Sequence, residues 1–196
     1  PPAHATAMTA YGITTSGVLL TFDTDVPDVV QTTTLTGLIV PGEQIVAIDF
    51  RATDRRLYGL SNEDRLYRID PVNGNADWMG TIIGIALDGV EFAMDWDPVN
   101  DHFRVISNTG QNLRLSPVTG LVIDSDANNP GIQTDPPFGG PVDFRAAGFI
   151  HNYAGAATTR LFLIDAVGDR LRFTDTPSTG TSSDVGPLGV NITSDV

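Results

Sequence analysis

The chain has 196 residues, 41% of them hydrophobic, with 20 Gly and 13 Pro, the profile of an ordered, turn-rich globular protein and not of a disordered one. Its formal charge is −13, from 24 acids against 11 basic residues that are all Arg, so polyphosphate backbones and anionic lipid surfaces are not expected partners. Without Cys there is no disulfide framework, thiolate metal site or Cys nucleophile, and no apolar run approaches the roughly 18 residues of a membrane span.

Taken in chain order, the predicted elements repeat. The first unit, residues 8–42, opens on AYGITTSGVLLTFDT, two strand-like runs around a Ser-Gly turn. The second, 43–83, reads QIVAIDF, a buried strand; then RLYGLS, an Asn-Glu-Asp turn and RLYRID, a hairpin; and it closes on DPVNG. Pro presets one turn dihedral there and Gly accepts positive φ. The third, 84–124, matches the second without a gap: Asp49 falls on Asp95, Phe50 on Trp96, Ser61 on Ser107, Asn62 on Asn108 and Arg68 on Arg114. Pro71, Val72 and Gly74 fall on Pro117, Val118 and Gly120. After an insertion, 125–141, the fourth unit (142–189) carries RLFLIDAVGDRLRF and a tail, TPSTGTSSD, that reads as an exposed loop. No helical period is found.

Short strands recurring at this spacing predict an all-β fold, a β-propeller-like array of about four sheet repeats that bury their faces against one another. The first unit lacks the buried strand expected before AYGITT, and the chain stops at GPLGVNITSDV, where a new inner strand is due. The expectation is an incomplete or partner-completed ring. The start at Pro1 and the small-residue stretch AHATA fit removal of an export signal.

The runs AIDFRATDRRLYGLSNEDRLYRIDPVNG, MDWDPVNDHFRVISNTGQNLRLSPVTG, AAGFIHN and TRLFLIDAVGDRLRFTDTP together resemble the bacterial domain-of-unknown-function family 4394. The resemblance covers nearly the whole chain. It implies an exported, propeller-like protein in the periplasm or outside the cell, and it carries no established activity and no catalytic residues.

Chemistry-bearing patterns are few. DSDANNPGIQTD places Asp124, Asp126 and Asn128 at positions one, three and five and Asp135 at position twelve, the oxygen spacing of a Ca²⁺ loop, although Asn129 stands where Gly is usual. An ordinary acidic surface loop is the competing reading. Asp49, Asp95 and Asp143 open equivalent IDF, MDW and VDF segments; they are expected to accept backbone hydrogen bonds between units more than to ring a cation. A centre plugged by the neighbouring aromatics Phe50, Trp96 and Phe144 would favour a scaffold, and a channel mouth with convergent Asp, His and Arg a ligand site. His4, His102 and His151 share no ligand spacing and read as surface or turn residues. Arg55, Arg56, Arg65 and Arg68 share one hairpin and are expected to pair with nearby Asp. No nucleophile elbow, phosphate loop or dinucleotide fingerprint occurs. The expected function is a non-enzymatic extracytoplasmic scaffold or accessory subunit making protein–protein contacts in a larger assembly, membrane-associated assemblies included. The alternative is a ligand-binding or hydrolytic propeller with a site in the central channel, dependent on Ca²⁺.

Overall fold

The computed structural model describes residues 8–192. Within them, strands form four antiparallel meanders in chain order. Sheet 1 contains β1 (Thr9–Ile13), β2 (Val18–Asp23) and β3 (Val30–Thr34). Sheet 2 contains β4 (Ile45–Arg51), β5 (Arg56–Ser61), β6 (Arg65–Ile69) and β7 (Ala76–Ile82). Sheet 3 contains β8 (Phe92–Asp97), β9 (His102–Ser107) and β10 (Asn112–Leu115), with Val122 bridged to Leu115 as the stub of a fourth strand. Sheet 4 contains β11 (Phe144–Phe149), β12 (Leu161–Asp165), β13 (Arg170–Thr174) and β14 (Ser183–Pro187). The fold is all-β: among the described residues a single 3₁₀ turn, Pro177–Thr179, interrupts the strands. No helix among the described residues is long and apolar enough to cross a membrane.

The sheets stack as successive blades. The inner strands touch in sequence, β4 on β8 and β8 on β11. The second strands are covered on both faces: all six residues of β9 are buried, and five of six in β5. The outermost strands β3 and β14 are mostly exposed. Three apolar cores lie at the three sheet–sheet junctions. Leu19, Ile45, Leu57 and Tyr67 pack between sheets 1 and 2. Tyr58, Leu60, Met94, Trp96 and Phe103 pack between sheets 2 and 3, and Ile106, Phe144, Phe149 and Leu161 between sheets 3 and 4. A sheet with two apolar faces hides them only against a neighbour.

The repeated residues each have a mechanical task. Asn62 Oδ1 accepts the Gln44 N–H at 2.9 Å and Asn108 Oδ1 accepts the Val90 N–H at 3.0 Å, so each ties a hairpin turn to the start of its inner strand. In DPVNG, Asp70 Oδ1 accepts the Val72 N–H; in SPVTG, Ser116 Oγ accepts the N–H groups of Val118 and Thr119. Both turns close with a Gly N–H donated back to the first residue's carbonyl. Gly74, at φ 75°, lies so close to sheet 1 that a Cβ would meet the Thr34 carbonyl oxygen at 2.3 Å. The motif therefore seats one blade on the blade before it.

The insertion 125–141 is a strap between sheets 3 and 4. Phe138 is buried edge-on against Phe144, 5.3 Å between centroids, and its N–H donates to the Gly110 carbonyl. The tail read as an exposed loop is mostly exposed and is anchored at two points. Ser178 accepts a hydrogen bond from Arg104, and Gly180 abuts the carbonyls of Pro136 and Pro137.

Two glycines separate crowded from open backbone. A Cβ on Gly59, in β5, would lie 2.6 Å from Ile69 Cδ1 and 3.0 Å from Ile45 Cγ2, whereas one on Gly148 would meet nothing within 4 Å. Gly59→Ala is expected to cost about 1–3 kcal/mol of overpacking, lowering the thermal midpoint by several degrees, and Gly148→Ala to leave it within about a degree. Equal midpoints for the two variants would show that the sheet 1–sheet 2 core is looser than described.

Candidate functional site

Three regions gather polar groups: the row of inner strands, a cleft between sheets 3 and 4, and the strap. In the row, Asp49 Oδ2 accepts the Trp96 N–H at 2.6 Å, and Asp95 Oδ2 accepts the Phe149 N–H at 2.7 Å. Each inner strand thus hands a carboxylate to the backbone of the next. Pairing corrects the repeat alignment of the fourth unit. Asp49 faces Tyr58 and Asp95 faces Arg104, and the residue in that position on β11 is Gly148, facing Phe162. Asp143 lies before β11, with its carboxylate 2.8 Å from Arg145. Likewise Phe149, not Phe144, is the counterpart of Phe50 and Trp96. The sequence match slipped because VDF mimics IDF, while GFI hides the true position behind a glycine.

Phe144 is buried in the core between sheets 3 and 4, and the three matching aromatics Phe50, Trp96 and Phe149 are unequally covered. Trp96 is 0% exposed and donates Nε1–H to Asp101, Phe149 is 7% exposed, and Phe50 is 38% exposed. At the junction of sheets 2 and 3, Arg51 makes a two-pronged pair with Asp101, at 2.8 and 2.6 Å, and also binds Asp54.

At the junction of sheets 3 and 4 an arginine also crosses, Arg145 of β11 lying 3.3 Å from Glu91, but the position of Arg51 is taken by another residue and a cleft of about 470 Å³ opens beside it. The residue after the aromatic there is Asp97, buried and accepting the Val99 and Asn100 N–H groups. Arg104, 1% exposed, forms another wall beside Ser178, with Thr158, Thr159 and Phe149 opposite. His102, read as a surface or turn residue, is buried in β9 with Nε2 3.7 Å from Asp97. Burial, and then the neighbouring Arg104 charge, push its pKa down to about 4, so it is neutral at physiological pH. His151 does sit at an exposed turn, at φ 57°; His4 lies outside the described residues.

Of the Ca²⁺-loop candidates, Asp124, Asp126 and Asn128 fall in one turn, where Asp124 Oδ1 accepts the Asp126 and Gln133 N–H groups and Asp126 Oδ1 accepts that of Asn128. Asp135 goes elsewhere. It is 4% exposed and lies between Arg104, at 2.5 Å, and Arg114, at 2.9 Å. Among the described residues no three His, Asp or Glu side chains are grouped to hold a metal. Arg55, Arg56 and Arg68 line a groove of about 380 Å³ that also contains Asp70 and Asp77. Arg65 lies over the Trp78 ring. Sequence reasoning missed the buried Arg104–Asp135 pair, because Arg104 is flanked by Phe103 and Val105 in its strand and its acid is 31 residues away.

Two predictions follow from these charges. Asp135→Ala leaves Arg104 buried without its carboxylate, which costs about 3–5 kcal/mol in urea unfolding; a loss under 1 kcal/mol would remove the pair from the stability argument, and chelator should not move the midpoint of the native protein. The second concerns the inner row. Burial raises the Asp49 pKa to about 6, and burial followed by the Asp49 charge raises Asp95 to about 8, from an ordinary 3.8. The folded state then holds more protons than the unfolded state between those values, so stability falls as pH rises from about 4 to about 8. Asp95→Asn keeps an oxygen for the Phe149 N–H and removes the charge. Its midpoint at pH 8 should exceed the native one by about 2–4 °C, the shift of roughly 1 kcal/mol in a chain of this size, with a shallower decline from pH 4. A lower midpoint throughout would contradict this.

No curated protein matches the chain. Among solved structures, a structural genomics protein of unknown function from Bacteroides thetaiotaomicron VPI-5482 is 13% identical, with a TM-score of 0.62 over 92% of this chain and 44% of its own. A structure described as the Dos1 propeller is 14% identical, with a TM-score of 0.46 over 94% of this chain and 46% of its own. The chain therefore spans less than half the length of either, and the first likeness concerns the fold alone. The profile of the domain-of-unknown-function family 4394 matches residues 18–196, and the chain belongs to that family.

Proposed function

We propose that this protein is a propeller-type scaffold working outside the cytoplasm, which acts through protein–protein contact within a larger assembly and carries out no chemistry of its own. The observation that carries the reading is the exposed aromatic of β4: Phe50 is 38% exposed where its counterparts Trp96 and Phe149 are 0% and 7%, and with Tyr11 and Ile48 it lines a shallow groove between β1 and β4. An exposed aromatic in a groove between strands is a surface for another polypeptide. The strongly acidic surface keeps such a module soluble and away from nucleic acid.

A second reading has one observation in its favour. The cleft between sheets 3 and 4, walled by buried Asp97 and Arg104, has the volume of a small-ligand pocket. It is off the inner row, so a ligand there would not be in a central channel.

A photo-crosslinking residue in place of Phe50, compared with one in place of the exposed Val185 on β14, tests the scaffold reading in the native host. Adducts of one discrete mass are expected from position 50 and none from position 185. Equal labelling at both positions, or none at 50, would refute it.

A further inference from the structure

We infer that the groove at the end of sheet 2, where the β4–β5 and β6–β7 turns meet, docks an acidic segment of a partner protein through Arg55 and Arg56. The inference rests on the scaffold reading and names the chemistry of the partner segment.

Ion pairing elsewhere in the chain is close to complete. Of its 11 arginines, eight are paired with a carboxylate. Arg55, Arg56 and Arg68 are not, and all three line one groove of about 380 Å³. The pairing with nearby Asp expected of this hairpin is therefore not made. The two acids of the groove are engaged in their own turn: Asp70 Oδ1 accepts the Val72 N–H, and Asp77 Oδ1 accepts an Asn75 Nδ2–H. Arg68 is half-buried opposite Tyr58 and reaches its hydroxyl. That leaves Arg55 and Arg56, both exposed, with no side-chain partner among the described residues.

Arg55 carries a second mark. It stands at φ 57°, at the position that Asp101 holds at φ 54° in the matching turn of sheet 3. The two turns close alike, the Arg55 N–H donating to the Arg51 carbonyl as the Asp101 N–H does to that of Asp97. Asp tolerates this left-handed conformation better than Arg does. Asp101 also has a task there, since it accepts from Arg51 and from the Trp96 Nε1–H. Arg55 adopts the same backbone without any such contact, and an unfavourable conformation at a residue with no folding contact points to binding.

The surroundings select the occupant. Phe50 and Trp78, 38% and 37% exposed, lie in the same groove, and apolar area of this kind is what a protein partner covers. Exposed ion pairs alone contribute little; once the aromatics are covered, pairs to Arg55 and Arg56 are desolvated and fix the register of the bound segment. The formal charge of −13 does not prevent approach, because its field is screened over about 8 Å at physiological salt. A polyphosphate chain would run on from the groove onto the acidic surface, whereas a short acidic segment would not.

The test places a photo-crosslinking residue at Val72, 86% exposed beside Pro71 of the groove, in the full chain in its native host. Val118, its match in sheet 3 and 73% exposed, is the control position. An adduct of one discrete mass is expected from position 72 and none from 118, and the crosslinked partner peptide, identified by mass spectrometry, should be rich in Asp or Glu. Arg55→Asn with Arg56→Gln removes both charges and puts a residue suited to positive φ in the turn. This variant should cut the adduct yield at least about 10-fold and leave the thermal midpoint unchanged or about 2 °C higher. An undiminished yield, a partner peptide without acids, a nuclease-sensitive adduct, an adduct of twice the chain's mass, or a midpoint lowered by more than about 4 °C would each overturn the inference. If position 72 gives no adduct while position 50 still crosslinks, the acidic-segment groove falls and the scaffold reading survives.

Discussion

Each sheet of this protein is apolar on two faces, and its neighbours are the cover available to them. That constraint places the cores at the junctions between sheets and not within any one of them. It also explains why β9 is buried along its whole length although it lies in a sheet of three principal strands. A single unit of this kind has too little core to be stable alone, so the residues that position one blade on the next matter as much as those that fill the space between them.

Polar contacts between blades serve that positioning, at some electrostatic cost. The Asp49 and Asp95 carboxylates sit on touching strands; desolvation opposes ionisation of both, and the Asp49 charge opposes it further at Asp95. Their return is directional. An amide N–H on the next inner strand is satisfied at one register only, so the blades cannot slide along each other without orphaning a buried donor. The Arg51–Asp101 pair adds a second fixed point at one junction. At the next junction the strap performs that task, because Asp135 binds an arginine from each of β9 and β10 while Phe138 fills the core.

Much of the architecture was legible in the sequence because the repeated residues are those with mechanical tasks. Asp49 and Asp95, Asn62 and Asn108, and the two PVxG turns recur since each junction needs the same contact. The inter-blade hydrogen-bonding role expected for the recurring Asp is what Asp49 and Asp95 perform. Legibility ended where a unit departs from the pattern. Gly148 replaces the third Asp, so the letters pointed instead to Asp143. The insertion has the composition of an acidic loop, and nothing local in DSDANNPGIQTD reveals that its last residue is buried between two arginines. Periodicity reports on what is common to the units, and Asp135 belongs to one of them alone.

Departure from the repeat is also where the candidate sites lie. A residue shared by all units serves the array, whereas a site needs one place that differs from the others. The junction of sheets 1 and 2 differs in its aromatic, since Phe50 is exposed where Trp96 and Phe149 are buried. The junction of sheets 3 and 4 differs by carrying Asp97 where the preceding junction carries Arg51. It also has a long connection between β11 and β12 in place of a four-residue turn, and the space so released is the cleft. The two departures lie at different junctions and use different groups, an exposed aromatic in one and buried side-chain charge in the other. Apolar area that a partner can cover suits a protein surface, whereas isolated buried polar atoms lining a cleft suit a compact ligand, so the Phe50 face is the better match for a protein partner.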